Sequence, residues 1–232
     1  MVQFALQEKG QKMKKLVILG MAAIASAALA AQDKVAVKFV LPAPHSSGTP
    51  KEVKSDNLEP DRGLGKLRDP IMVPQGYDKL LSKDCKVTAS VPEDDIISGD
   101  LDALVDGDKT PDATCMLQLP SGLQWVQIDL GAEHEISAIC VWHDQGDERV
   151  YRDVIVQVSN DAKFVDGVQT VFNNDHDNTA KLGAGKDKEY RERFDGRPMD
   201  AKLVKGRYVR CYSNGSTADG MNTYAEVEVF GK

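Results

Sequence analysis

Residues 125–143 read WVQIDLGAEHEISAICVWH. Val126, Ile128 and Leu130 alternate with Gln127 and Asp129, so one face is apolar and the other polar. A period of two belongs to a half-buried strand. Gly131 breaks the pattern, and a second apolar run follows over 135–143. The same texture extends both ways. CKVTASV (85–91) and CMLQL (115–119) precede it, and RDVIVQVS (152–159), VQTVFN (168–173), RYVRCYS (207–213) and YAEVEVF (224–230) follow. Clusters of Gly, Asp and Asn separate these runs, and no long amphipathic helix interrupts them. The pattern predicts an all-β sandwich or barrel. No internal repeat or heptad is present.

Upstream the texture changes. Residues 31–80 are rich in Pro, Gly, Ser and charge, and read as a linker or loosely docked, irregular N-terminal arm. Residues 13–30, MKKLVILGMAAIASAALA, have a basic start, a short apolar stretch and a small-x-small end at Ala28–Ala30. That is the pattern of a secretory signal peptide, and it predicts cleavage near Ala30 and export to the periplasm or beyond. Residues 1–12 suit no signal peptide and read as a spurious extension before Met13. No later apolar run is long enough to span a bilayer.

The formal net charge is −7. An acidic exported chain is a poor partner for nucleic acid, whose binding rests on phosphate neutralisation. Cys85, Cys115, Cys140 and Cys211 match no zinc or redox spacing. Buried free thiols and one or two disulfides are both open. No H-E-x-x-H or G-x-S-x-G occurs, and the four histidines of the chain, His45, His134, His143 and His176, form no metal motif. The reading is non-catalytic.

The order ALVDGD (103–108), WVQIDLG, ISAICVWH, VIVQVSND (154–161), GRYVRCYS (206–213) and a final EVEVFG (226–231) resembles that of discoidin domains. These are the coagulation factor 5/8 type C domains of the galactose-binding-like superfamily, similar to carbohydrate-binding module family 32. The resemblance covers about 80–232 and places a discoidin-like domain over 81–232. It implies an eight-stranded jelly-roll β-sandwich with binding loops at one end, and a structural calcium near those loops in many sugar-binding members. Carried onto this chain, the calcium ligands would be the side chains of Asp106, Asp108, Thr110 (or Thr114) and Glu226, with main-chain oxygens of Ala103 and Ala225. Calcium takes six to eight oxygens, which a bent Asp-Gly-Asp turn could supply. On that reading Glu226 is a ligand and Glu228 stays solvated. On the plainer one, Asp106–Asp108 is a simple turn and both glutamates meet water.

Family sugar binders often use His with Arg or Asn from comparable loops. WHDQGDERVYRD (142–153) offers His143 and Arg149 as first choices, with Trp142 beside them. Asn173, His176 and Asn214 are lesser ones. The plain reading makes His143 a strand-end residue and Trp142 a packing residue. Aromatic content is only 6%, so no extended stacking platform is evident. NNDHDNTA (173–180) fails as an EF-hand because Ala180 stands where Gly belongs, and reads as a solvated loop. The main expectation is an exported glycan-binding module with a glycan or cell-surface polysaccharide as partner. The alternatives are a protein-interaction or cell-surface structural module, and a hydrolase, which would need two carboxylates ~5–9.5 Å apart across a cleft.

Overall fold

The two apolar runs of 125–143 form one strand. In a computed structural model that describes residues 33–44, 53, 55–63, 65–112 and 114–232, strand β6 spans Gln124–His143. The signal-like segment 13–30, the extension before it and His45 lie outside the described residues. The other strands are β1 (Lys34–Ala36), β2 (Met72–Pro74), β3 (Lys79–Leu80), β4 (Lys86–Ala89), β5 (Leu117–Leu119), β7 (Ile155–Ser159), β8 (Gln169–Asn173), β9 (Arg197–Ser213) and β10 (Asn222–Gly231).

Both long strands bend from one layer to the other. The first half of β6 pairs with β4 (Ile128 opposite Val87) and with the second half of β9 (Val126 opposite Cys211). Its second half pairs with β10 (Val141 opposite Val227) and with the first half of β9 (Ile139 opposite Met199). Register shifts at Asp129/His134 and Ile136/Ala138 mark the bend. Such irregularities let a strand turn a corner without breaking its ladder. Gly131 turns there with φ of +80°. In β9, Lys202 and Leu203 take left-handed backbone, and Gly206 lets Val158 approach, where a Cβ would lie 2.3 Å from Val158 Cγ1. The strand expected over 207–213 therefore begins ten residues earlier; left-handed residues hide the pattern of its first half.

The result is an antiparallel β-sandwich. One layer holds β4, the first half of β6, the second half of β9, β7 and β8. The other holds β3, β5, β10 and the remaining halves. Val126, Ile128, Ile139, Val141, Val209, Val227 and Val229 fill the space between. Burying each such side chain contributes about 1.5–3 kcal/mol.

The arm is not loose. β1 and β2 pair antiparallel, and Val37, Val73 and Tyr77 pack on Ala138 and Phe230. Phe39 meets Trp142 and Phe230 edge-on, with centroids 6.0 and 5.3 Å apart. Farther along, Glu59 bridges Arg68 at 2.5 Å and Arg197 at 2.8 Å, and Arg62 pairs with Asp195 at 2.8 Å. The outer face of β6 and β10 carries large apolar groups, and those cannot stay wet without cost. The arm covers them, so the expectation of a linker or loosely docked arm over residues 31–80 is corrected for its described part.

All four cysteines are free thiols, so the disulfide alternative is not realised. Burial pushes the Cys211 thiol up to about 12 and raises that of Cys140 as well.

Candidate functional site

The loops 144–154, 174–196 and 214–221 meet at one end of the sandwich, where β6, β7 and β10 begin or stop. Backbone bonds knit them together. Glu192 N–H donates to Arg149 O, Asn214 N–H to Arg152 O, and Thr217 N–H to Val150 O. Arg149 stands at the centre. Its guanidinium reaches Asp147 at 2.7 Å, Asp144 at 3.0 Å and Asp219 at 3.4 Å, with 14% of the side chain exposed. Burial disfavours its charge, but the Asp147 hydrogen bond and the surrounding carboxylates outweigh that and raise its pKa.

Asn214 donates from Nδ2 to Asp153 Oδ2 at 2.8 Å. Asp153 belongs to a group that sequence reasoning passed over. Asp153, Asp175 and Asp177 each bring a carboxylate oxygen to within 4.8 Å of the others. Thr179 Oγ1 lies 2.9 Å from both Asp153 and Asp177. Burial pushes the Asp175 carboxyl up, while hydrogen bonds from Thr179 hold Asp177 down. In the sequence, 173–180 was legible only as a polar loop. Asp153 joins it from 20 or more residues away through the β7–β8 pairing, and no local pattern announces that.

Three of the expected ligand residues are not available to a ligand. His143 is wholly buried, stacked on Tyr151 at 4.3 Å with its Nδ1 2.7 Å from Glu192 Oε1. Trp142 is also wholly buried and donates from Nε1 to Phe194 O. Asn173 is spent within its own loop, donating to Gly183 O and accepting from Asp175 N–H. These residues support the loops from beneath. Packing on both faces of β6, by the opposite layer and by the arm, takes His143 and Trp142 out of reach of solvent. His176 is exposed and lies against Asn57 of the arm and Asp187 O. Of the expected six, the structure brings Arg149, Asn214 and His176 to the loop surface.

The expected calcium ligands lie on the 106–110 turn and on β10, joined to the first loop where Gln145 Nε2 donates to Lys109 O. Asp106 ends a 3-10 turn, Leu101–Val105, and Gly107 follows with φ of +92°. The turn and the last strand do meet, because Gly107 N–H donates to Glu226 Oε2 at 3.0 Å. Neither glutamate is wet: Glu226 is 2% exposed and Glu228 4%. Burial pushes the Glu226 carboxyl up to about 8, against the opposing pull of Lys109 and the Gly107 N–H. One oxygen of each aspartate is turned back on the turn itself. Asp106 Oδ1 accepts from Asp108 N–H at 2.7 Å, Asp108 Oδ1 accepts from Thr110 N–H at 2.9 Å, and Asp106 O accepts from Lys83 Nζ at 3.0 Å. Lys109 Nζ sits among them, 2.8 Å from Glu228 Oε1. Asp106, Asp108 and Glu226 do not bring their carboxylate oxygens within 4.8 Å of one another, and an ammonium already sits beside them, so the set as arranged does not fit a calcium shell. Glu228, expected in solvent, is an internal ion-pair partner because Lys109 folds over it. Beside the turn opens a cavity of 690 Å³ edged by Glu93, Asp100, Asp102, Asp106 and Asp108, with Lys86 among them.

Residues 103–211 match the family model of the NedA-like, galactose-binding F5/8 type C domain. That stretch, 109 of the 232 residues, is similar to a discoidin-like domain. The match spans the acidic turn, the bent β6, the loops 144–154 and 174–196, and most of β9. Among solved structures, the chain is similar to the CBM32 of AlyQ in complex with 4,5-unsaturated mannuronic acid, at 16% identity and a TM-score of 0.47, over 64% of this chain and 96% of that one. It is similar to CpGH89CBM32-5 from Clostridium perfringens, in complex with GalNAc-β-1,3-galactose, at 15% identity and a TM-score of 0.46, over 66% and 99%. A family 89 glycoside hydrolase from Clostridium perfringens shows 20% identity and a TM-score of 0.48 over 66% of this chain but only 14% of that one. The search of characterised proteins gives no match. Among the described residues no helix is long and apolar enough to cross a membrane.

Proposed function

We propose that this protein is a non-catalytic carbohydrate-binding module that holds a glycan with the loops 144–154, 174–196 and 214–221. The observation that carries the reading is the family match to a galactose-binding domain across two of those loops, at the end where Arg149 is fixed by three carboxylates. A sugar is recognised by hydrogen-bonding groups whose directions are set beforehand. Arg149 and Asn214 meet that need, since each is held by a carboxylate while keeping part of its surface open. His176, on the exposed rim, adds a third polar group. No Trp, Tyr or Phe is among the exposed large apolar residues described, so recognition rests on polar contacts more than on stacking. The signal-like segment 13–30 supports export, which would place the module among extracellular polysaccharides.

A glycan array followed by calorimetry on the full chain tests this. Binding to at least one saccharide is expected, weakened at least tenfold by Arg149→Ala or Asn214→Ala while the thermal transition persists. A folded protein that binds no saccharide would replace this reading with the protein-interaction one.

A further inference from the structure

A buried ammonium beside two buried carboxylates calls for an account of what it does. Lys109 is 4% exposed. Lysine is among the residues least often buried, and its ammonium carries three N–H donors and no acceptor. All three directions are occupied here. One faces Glu228 Oε1 at 2.8 Å and one faces Gly107 O at 3.3 Å. The third side lies over the Trp142 ring, 4.9 Å from its centroid, within reach of the negative ring face. The backbone is pinned too, since Gln145 Nε2 donates to Lys109 O at 2.9 Å. Glu226 adds a second carboxylate on the same side of β10, two residues from Glu228 and bound to the same turn through Gly107 N–H.

We infer that Lys109 is the resident cation of the 106–110 turn, joining the turn to β10 as a bound divalent ion would, so that the domain holds its form without calcium. The surrounding chemistry supports this. A divalent ion at 2.3–2.6 Å from six to eight oxygens would need the Asp106, Asp108 and Glu226 oxygens to turn toward one point. Instead one oxygen of each accepts an N–H of the turn itself, and the three carboxylates do not gather within 4.8 Å of one another. An ammonium needs only a few acceptors at hydrogen-bond distance, and it has them.

The test begins with the full chain, whose melting temperature is compared in saturating calcium and in excess chelator, with metal analysis after dialysis. The expected result is one melting temperature and no bound calcium. A drop in chelator, or one calcium per chain, overturns the inference whatever any variant does. A second arm uses Lys109→Ala. Its melting temperature is expected to fall, and propylammonium chloride to restore part of the loss where tetramethylammonium chloride, which has no N–H, does not. An unchanged melting temperature in Lys109→Ala also overturns the inference. No saccharide enters either arm, so the outcome is independent of glycan binding.

Discussion

Removing the Lys109 ammonium leaves Glu228 buried without its partner. Breaking such a pair from one side destabilises by about 3–5 kcal/mol, chiefly because the remaining charge is uncompensated. Lys109→Met should show that loss in urea unfolding, and Lys109→Met/Glu228→Gln should recover much of it. Equal instability of the single and double variants would mean that packing, not charge, is the main loss. Gly196 sets a second single-residue constraint. It has φ of +58°, and a Cβ there would lie 2.6 Å from Trp142 Cε2. Gly196→Ala should cost more than about 2 kcal/mol and flatten the near-UV signal of the buried indole. A variant as stable as the parent would show that the 194–197 turn yields easily. Neither feature is visible in sequence, because each arises from contact with Trp142 or β10, distant in the chain.

At the scale of elements, the arm is clamped by charge as well as apolar contact. Burial alone would raise the Glu59 carboxyl. The Arg68 hydrogen bond, with the charges of Arg68, Arg197 and Arg62, wins and lowers it. A depressed carboxylate contributes stability that is present above its unfolded pKa, near 4.3, and lost as pH falls through the folded value. Hydrogen exchange should therefore show amides of 55–68 losing protection in acid before those of β6 and β10. Glu59→Gln should show weak protection at neutral pH and no acid step. An acid step that survives in Glu59→Gln would assign it to another carboxylate. The composition of 31–80 concealed this clamp because its partners, Asp195 and Arg197, lie more than 120 residues away in sequence. The alternation of Val35, Val37 and Phe39 was the local sign of a covered face.

For the whole molecule, charge distribution bears on ligand choice. The chain carries a net charge of −7, and the loops 144–154, 174–196 and 214–221 hold eleven Asp and Glu against seven Lys and Arg, a net excess of four negative charges. Such a field repels anionic polymers at long range. Neutral saccharides should bind at least tenfold tighter than polyuronates at low salt, with the gap narrowing as salt screens the loops. Calorimetry at two ionic strengths measures this. Tighter binding of a polyuronate would place the site away from these carboxylates.

The period-two runs of 125–143 and 224–230, with their glycine and aspartate breaks, determined the all-β class, most of the strands and an order of motifs similar to that of discoidin domains. Those are local properties, because alternation follows from the geometry of a single strand. Accessibility is not local. Val227 and Val229 face the core as the alternation requires, but the polar side of the same strand is closed by Lys109 and by an arm from more than 140 residues upstream. Only the tertiary structure decided that Glu226, Glu228, His143 and Trp142 are internal, that Arg149 and Asn214 remain at the surface, and that Asp153 joins Asp175 and Asp177. Each depends on what packs over a residue, and that is fixed by contacts between segments far apart in the chain.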